Sequence, residues 1–189
     1  MLEKEFQKKH DELEKECDEG RQREMKGTLI ISSPQRGNNI NTLAVHRPLL
    51  DYQGNTLGME TDLDLVLRMV AAKTGVRFQI SDVVACHRIG KKNSFSFVLK
   101  IGNRQPYSSW DALNHGMMTG NGFTNANVFI NFMLTKKRTE LSKQVRQARK
   151  DRQIMNYSVD QNGKFFVKKS VENNAWKQVF SIEDIQKIT

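Results

Sequence analysis

The chain has 189 residues, 30 of them Lys or Arg and 21 Asp or Glu, giving a formal net charge of +9 and a pI near 9.6. No apolar run approaches the roughly 20 residues that span a bilayer, so no membrane association is expected, and the opening Met-Leu-Glu-Lys-Glu-Phe has no apolar core of a secretory signal. Two cysteines far apart, Cys17 and Cys86, exclude a disulfide framework. A reducing compartment, cytoplasmic or nuclear, is expected, which leaves the Asn156-Tyr157-Ser158 sequon uninformative.

Residues 1–26 carry 7 basic and 9 acidic side chains, no Pro and one Gly. Leu2, Phe6, Leu13 and Cys17 follow one another at spacings of 4, 7 and 4, which resembles a short heptad seam. The segment reads as an oligomerising helix or as a solitary solvated one, because isolated helices of this length are marginal. Gly27 ends it.

Beyond it the chain is strongly basic, with a net charge of +11 over 163 residues. That imbalance suggests a polyanionic partner bound by the body and not by the N-terminal helix. Thr28 to Ser32 reads as a buried strand. Gln35 to Glu60 reads as a long polar loop with one apolar patch, Leu43 to Leu50. Thr61 and Asp64 have capping-box spacing, Leu63, Val66, Leu67 and Val70 share a helical face, and Gly75 is placed to end that helix. Strands follow at Asp82 to Ile89 and Phe95 to Ile101, joined by the basic turn Gly90-Lys91-Lys92-Asn93. Ser109 caps a short helix through Trp110, Leu113 and Met117, and Asn127 to Leu134 is a fourth strand.

The order βαββαβ predicts an α+β fold, the ferredoxin-like sandwich of the RNA-recognition-motif type, with one sheet face open. Thr135 then caps a long helix to about Arg152 with eight basic and two acidic residues. Met155 to Val159 and Lys164 to Lys168 flank an Asn162-Gly163 hairpin turn, Trp176 to Phe180 is strand-like, and Ser181 with Asp184 caps a last helix. The domains expected are therefore 1–26, 27–134 and 135–189, the last a small basic α+β unit.

Enzyme signals are poor, since no phosphate loop, nucleophile elbow or metal-ligand spacing is present. No cofactor or metal is implied. Cys86 and His87 are adjacent on a strand and point to opposite faces, so they form no nucleophile–base pair. Asp62 and Asp64 complement the dipole of their helix.

On the third strand, Phe95, Phe97, Leu99 and Ile101 fall on one face and Ser96, Val98 and Lys100 on the other. Placing the phenylalanines outward would force Lys100 into the core at several kcal/mol, so they are expected inward and Lys100 outward. Arg88 then joins Lys100, Lys91 and Lys92 at the open face as phosphate donors, the alternative being a salt bridge to a neighbouring carboxylate. On the long helix, Lys136, Lys143, Arg146 and Lys150 form a stripe opposite Leu141, Val145 and Ala148.

Asp82-Val-Val-Ala-Cys-His-Arg-Ile-Gly90, Phe97-Val-Leu-Lys-Ile101, Asn127-Val-Phe-Ile-Asn-Phe-Met-Leu-Thr-Lys-Lys-Arg138 and Asn162-Gly-Lys-Phe-Phe-Val-Lys-Lys169 occur in this order. The set resembles the first-open-reading-frame proteins of non-LTR (LINE-type) retrotransposons. The baculovirus few-polyhedra proteins look similar over the same region. The resemblance implies single-stranded RNA binding with nucleic-acid chaperone activity in a ribonucleoprotein particle, and homotrimerisation through the N-terminal helix. It implies basic residues in place of stacked aromatics, matching Arg88, Lys100 and Arg138, with Lys136, Lys137 and Lys168 of the same motifs beside them. DNA as ligand stays open at this point, as does a non-enzymatic assembly protein of the few-polyhedra kind.

Overall fold

The computed structural model describes residues 2–33, 42–90, 95–119, 123–169 and 175–188. In chain order the elements are α1 (Leu2–Glu24), β1 (Thr28–Ser32), β2 (Pro48–Leu50), β3 (Thr56–Met59), α2 (Asp62–Thr74), β4 (Val83–Ile89), β5 (Ser96–Ile101), α3 (Ser109–Thr119), β6 (Phe129–Phe132), α4 (Lys136–Lys150), β7 (Asn156–Val159), β8 (Phe165–Lys168), β9 (Lys177–Val179) and α5 (Ile182–Ile188). They gather into two units, one of residues 27–131 and one that combines residues 1–26 with 132–189.

The first unit is built on a four-stranded sheet in the order β4-β5-β1-β6, with β1 and β4 both antiparallel to β5. Its core is made by Leu29 and Ile31 of β1, Phe97, Leu99 and Ile101 of β5, Leu65, Val66, Met69 and Val70 of α2, and Trp110 and Leu113 of α3, all buried. Phe97 is wholly inaccessible, so truncating it to Ala is expected to cost about 3–5 kcal/mol. The start and stop of α2 follow the sequence signals. The Thr61 hydroxyl accepts from Asp64 N, the Asp64 carboxylate accepts in turn from Thr61 N, and Gly75 ends the helix in the left-handed region at φ 73°.

The segment expected as loop, Gln35 to Glu60, departs from that reading. Residues 34–41 lie outside the described part, and the remainder contains the β2–β3 hairpin. Asp51 builds its turn by accepting from Gln53 N and Asn55 N, each at 2.8 Å, with Gly54 at φ 87°. Its strands are only three and four residues long and lack clean apolar alternation, so no period-2 signal marks them. The base is clamped by Arg68 of α2, which donates to both Glu60 oxygens (2.8 and 2.7 Å) and to the carbonyls of Leu43 and Val45. The Arg68 hydrogen bonds hold the Glu60 carboxyl below its ordinary range, against the opposing effect of burial.

In the second unit α4 and α5 accompany the antiparallel sheet β7-β8-β9. Leu141, Val145, Ala148, Ile154, Phe165, Val167, Val179 and Ile185 form its core. The C-terminal part of α1 belongs to this unit. Gln22 is buried and satisfied at both ends, donating to Met133 O and accepting from Thr135 N. Gly163, in the β7–β8 turn at φ 69°, passes so close that a Cβ there would meet Gln22 Cδ at 2.8 Å. The expected hairpin, α4 and its Thr135 cap, which accepts from Arg138 N, are present. The fourth strand of the other sheet is shorter than expected, Phe129–Phe132.

Candidate nucleic-acid interface

Cross-strand pairing decides which side chains share a face of the four-stranded sheet. Phe97 and Leu99 are buried, and their partners Ile31 and Leu29 on β1 are buried with them. The same two residues face Arg88 and Cys86 on β4. Arg88 therefore lies on the helix-covered side, which corrects its placement beside Lys100. Its guanidinium stands over the Phe97 ring, 4.8 Å from the centroid, and Nη2 donates to Asp62 Oδ1 at 2.7 Å at the start of α2. His46 Nε2 lies 3.0 Å from the same oxygen. The Arg88 hydrogen bond is the main reason the Asp62 carboxyl sits below its ordinary range.

The physical reason for the misplacement is an irregularity between Val83 and Ala85 that shifts the phase of β4. Val84 is left exposed while Cys86 and Arg88 turn inward. Burial, and then the Asp62 carboxylate, push the Cys86 thiol up to about 11, and Cys86 Sγ lies 4.0 Å from Asp62 O. Cys86 pairs with Leu99 and His87 with Val98, so the two are on opposite faces as the sequence requires.

The opposite face carries Thr28 and Ile30 of β1, Val98 and Lys100 of β5, and Ala85 and His87 of β4. Lys100 is exposed, as expected, and His87 is exposed beside it. On β6, Phe129 and Asn131 are exposed while Val128 before them is buried and Ile130 between them half-buried, so alternation turns Phe129 and Asn131 to this same outer face. None of the four strands contains an acidic residue. Lys91 and Lys92 lie outside the described residues.

A second basic surface belongs to the other unit. On α4 the side chains of Lys136, Lys143, Arg146 and Lys150 are exposed, and Leu141, Ser142, Val145 and Ala148 are buried on the far side. Glu140 is the single acid within the helix, and its pair with Lys143 at 2.9 Å is open to water and worth little. Lys137 reaches Glu14 at 3.3 Å.

Arg138 is different. Its Nε donates to Asp18 Oδ2 at 2.8 Å and its Nη1 to Asn162 O, and its side chain is only 16% exposed. Burial pushes the Asp18 carboxyl up, but hydrogen bonds from the Thr135 hydroxyl and Arg138 more than reverse this and leave it low. Arg138 thus ties α1 and the β7–β8 turn to α4 instead of facing solvent. Lys168 is half-buried on β8. Of the oligomerisation seam, Phe6 (76%) and Leu13 (62%) are exposed and so is Cys17, while the side chain of Leu2 is outside the described residues.

Phe129 and His87 are not among the binding residues that the sequence predicts. The period-2 pattern of Val128-Phe-Ile-Asn131 carries a signal for Phe129, but only once the buried phase of that strand is known. No helix among the described residues is long and apolar enough to cross a membrane, and no three His, Cys, Asp or Glu side chains among them gather as a metal site. No protein-family model, curated protein or solved structure matches the chain.

Proposed function

We propose that this chain binds single-stranded RNA without strong sequence preference and acts as a nucleic-acid chaperone in a retrotransposon-type ribonucleoprotein particle, as its resemblance to the LINE-type first-open-reading-frame proteins implies. In this reading the four-stranded unit is a ferredoxin-like domain of the RNA-recognition-motif type, supported by the βαββαβ order around the sheet β4-β5-β1-β6. The observation that carries the proposal is the exposed row Lys136, Lys143, Arg146 and Lys150 on α4, about 21 Å long at roughly 1.5 Å per residue and interrupted by one acid. Such a row neutralises successive phosphates and releases their counterions. Lys100 adds a donor on a sheet face without carboxylates. The exposed Phe6 and Leu13 on α1 support self-association, a trimer under the resemblance.

The test is Lys143→Glu with Arg146→Glu, measured by fluorescence anisotropy on a single-stranded oligonucleotide across a salt series. Weaker binding is expected, with the log–log salt slope shallower by roughly 1.4, or about 0.7 per lost phosphate contact. An unchanged slope makes α4 structural.

A second reading, a non-enzymatic assembly protein like the few-polyhedra proteins, is favoured by the β2–β3 hairpin. It exposes Leu49, Leu50, Tyr52, Leu57 and Met59, an apolar surface suited to protein contact.

A further inference from the structure

The β2–β3 hairpin is a neutral apolar arm of the four-stranded unit. Hydrogen bonds hold both of its ends: Arg68 grips Glu60 after β3, and His46 Nε2, before β2, lies 3.0 Å from Asp62 Oδ1. Val45, Leu49, Leu50, Tyr52, Leu57 and Met59 are all exposed, Tyr52 to 94%. A two-stranded ribbon open to water is marginal on its own, and an exposed apolar patch of this density marks a contact site. From Pro48 to Met59 the single formal charge is Asp51, whose carboxylate is taken up inside the turn by Gln53 N, Asn55 N and Asn55 Nδ2.

We infer that the hairpin is a contact between copies of this chain, the hairpin of one molecule packing face to face on the hairpin of a second. The inference rests on the assembly reading above and goes further by naming the partner. A surface without charge offers nothing to a polyanion or a charged peptide, so its partner is apolar. Among the described residues no other stretch exposes apolar side chains as densely, so the hairpin is its own best complement, as a two-fold contact requires. Electrostatics agree. Each copy carries +9 and repels the next over most of its surface, and the uncharged hairpin is where two copies approach at least cost. Side-chain faces make the contact, because Pro48 has no N–H to donate, the strands are three and four residues long, and the ladder is interrupted between Leu49 and Leu50, all of which oppose strand addition. Two packed hairpins bury on the order of 1,000 Å2 in total, the low end for a specific interface, so the contact is weak in free solution and strengthens between copies held on one strand.

The experiment uses the full chain with Phe6→Gln and Leu13→Gln, which removes the α1 seam, and reads association by sedimentation velocity over a concentration series. Dimers are expected, tightening as salt rises, because salt screens the repulsion between basic bodies and leaves apolar packing in place. Adding Leu57→Lys should weaken the dimer roughly 100-fold, since one leucine per copy leaves the contact and each is worth about tenfold or more when buried. Leu57→Asp should do the same and Leu57→Met should not. A mixture of the Leu57→Lys and Leu57→Asp chains should associate more tightly than either alone, because hairpin against hairpin brings the two opposite charges together. Leu57 is 72% exposed, so these substitutions keep the fold, which circular dichroism verifies.

A chain with the hairpin intact that stays monomeric at every concentration and salt overturns the inference. So do dimers indifferent to Leu57→Lys, and a mixture that recovers nothing. In these cases the assembly reading keeps the hairpin for a different protein. That reading falls by a separate result, gel filtration of cell extract in which Leu57→Lys leaves the elution of the full chain unchanged.

Discussion

Replacing Arg138 by Ala separates a structural cation from a nucleic-acid contact. The side chain sits beside the α4 stripe in sequence, yet its donors are spent on Asp18 Oδ2 at 2.8 Å and on Asn162 O. Side-chain exposure is 16% for Arg138 and 15% for Asp18, so the pair is largely but not wholly removed from water. Hydrogen bonds to charged groups contribute about 1.5–3 kcal/mol, and an orphaned buried partner adds to the loss. Residual water access to Asp18 keeps the total near the low end, about 2–3 kcal/mol. In urea, with a slope near 2 kcal/mol/M, the unfolding midpoint should fall by roughly 1 M. Arg138→Lys should recover part of this, because an ammonium keeps the charge without the guanidinium fork. The RNA salt slope should not change. An unchanged urea midpoint with a salt slope shallower by about 0.7 would refute the reasoning and return Arg138 to the phosphate contacts.

Four further outcomes follow from other parts of the molecule. Arg68→Ala should destabilise the four-stranded unit by about 3–5 kcal/mol in urea unfolding, because Glu60 and the Leu43 and Val45 carbonyls lose their donor, while Arg88→Ala should lower stability more than it lowers RNA affinity. Asp18, Asp62 and Glu60 all have carboxyls held low in the folded chain. Their stabilisation is complete above the unfolded values near 4 and is lost as pH falls through the folded ones, so the urea midpoint should be flat from pH 7 to about 5 and drop below about pH 4. A drop starting near pH 6 would contradict this. Finally, with the Cys86 thiol pushed up to about 11 and Cys17 exposed, alkylation by iodoacetamide at pH 8 should label Cys17 well before Cys86, as read by peptide mass spectrometry, and equal rates would count against the burial of Cys86.

Much of the local structure is written in short-range signals. Thr61, Asp64 and Gly75 mark α2 at both ends, Thr135 marks α4, and Asp160 to Gly163 marks the β7–β8 turn, because capping and turn chemistry act over three or four residues. The inward phase of β5 is equally legible, since only one phase of Ser96 to Ile101 keeps Lys100 in water. The phase of β4 is not. Val83-Val-Ala-Cys-His-Arg-Ile89 has apolar residues in both phases, and the shift at Val83 and Ala85 is fixed by pairing with β5, a tertiary fact. For that reason the sequence puts Arg88 on the open face, whereas pairing with β5 places Arg88 on the covered side and His87 on the outer one. Arg138 shows the same limit over a longer range, because its partner Asp18 lies 120 residues away in a segment that reads as a separate helix. The β2–β3 hairpin stays hidden because it rests on the Arg68–Glu60 clamp and not on alternation.

The salt dependence of single-stranded RNA binding by the intact chain tests the central proposal most directly. Phosphate contacts from Lys100, Lys136, Lys143, Arg146 and Lys150 predict a log–log slope of roughly −3.5, from about −0.7 per contact on a single strand. A slope near zero, or no binding at low salt, would contradict it.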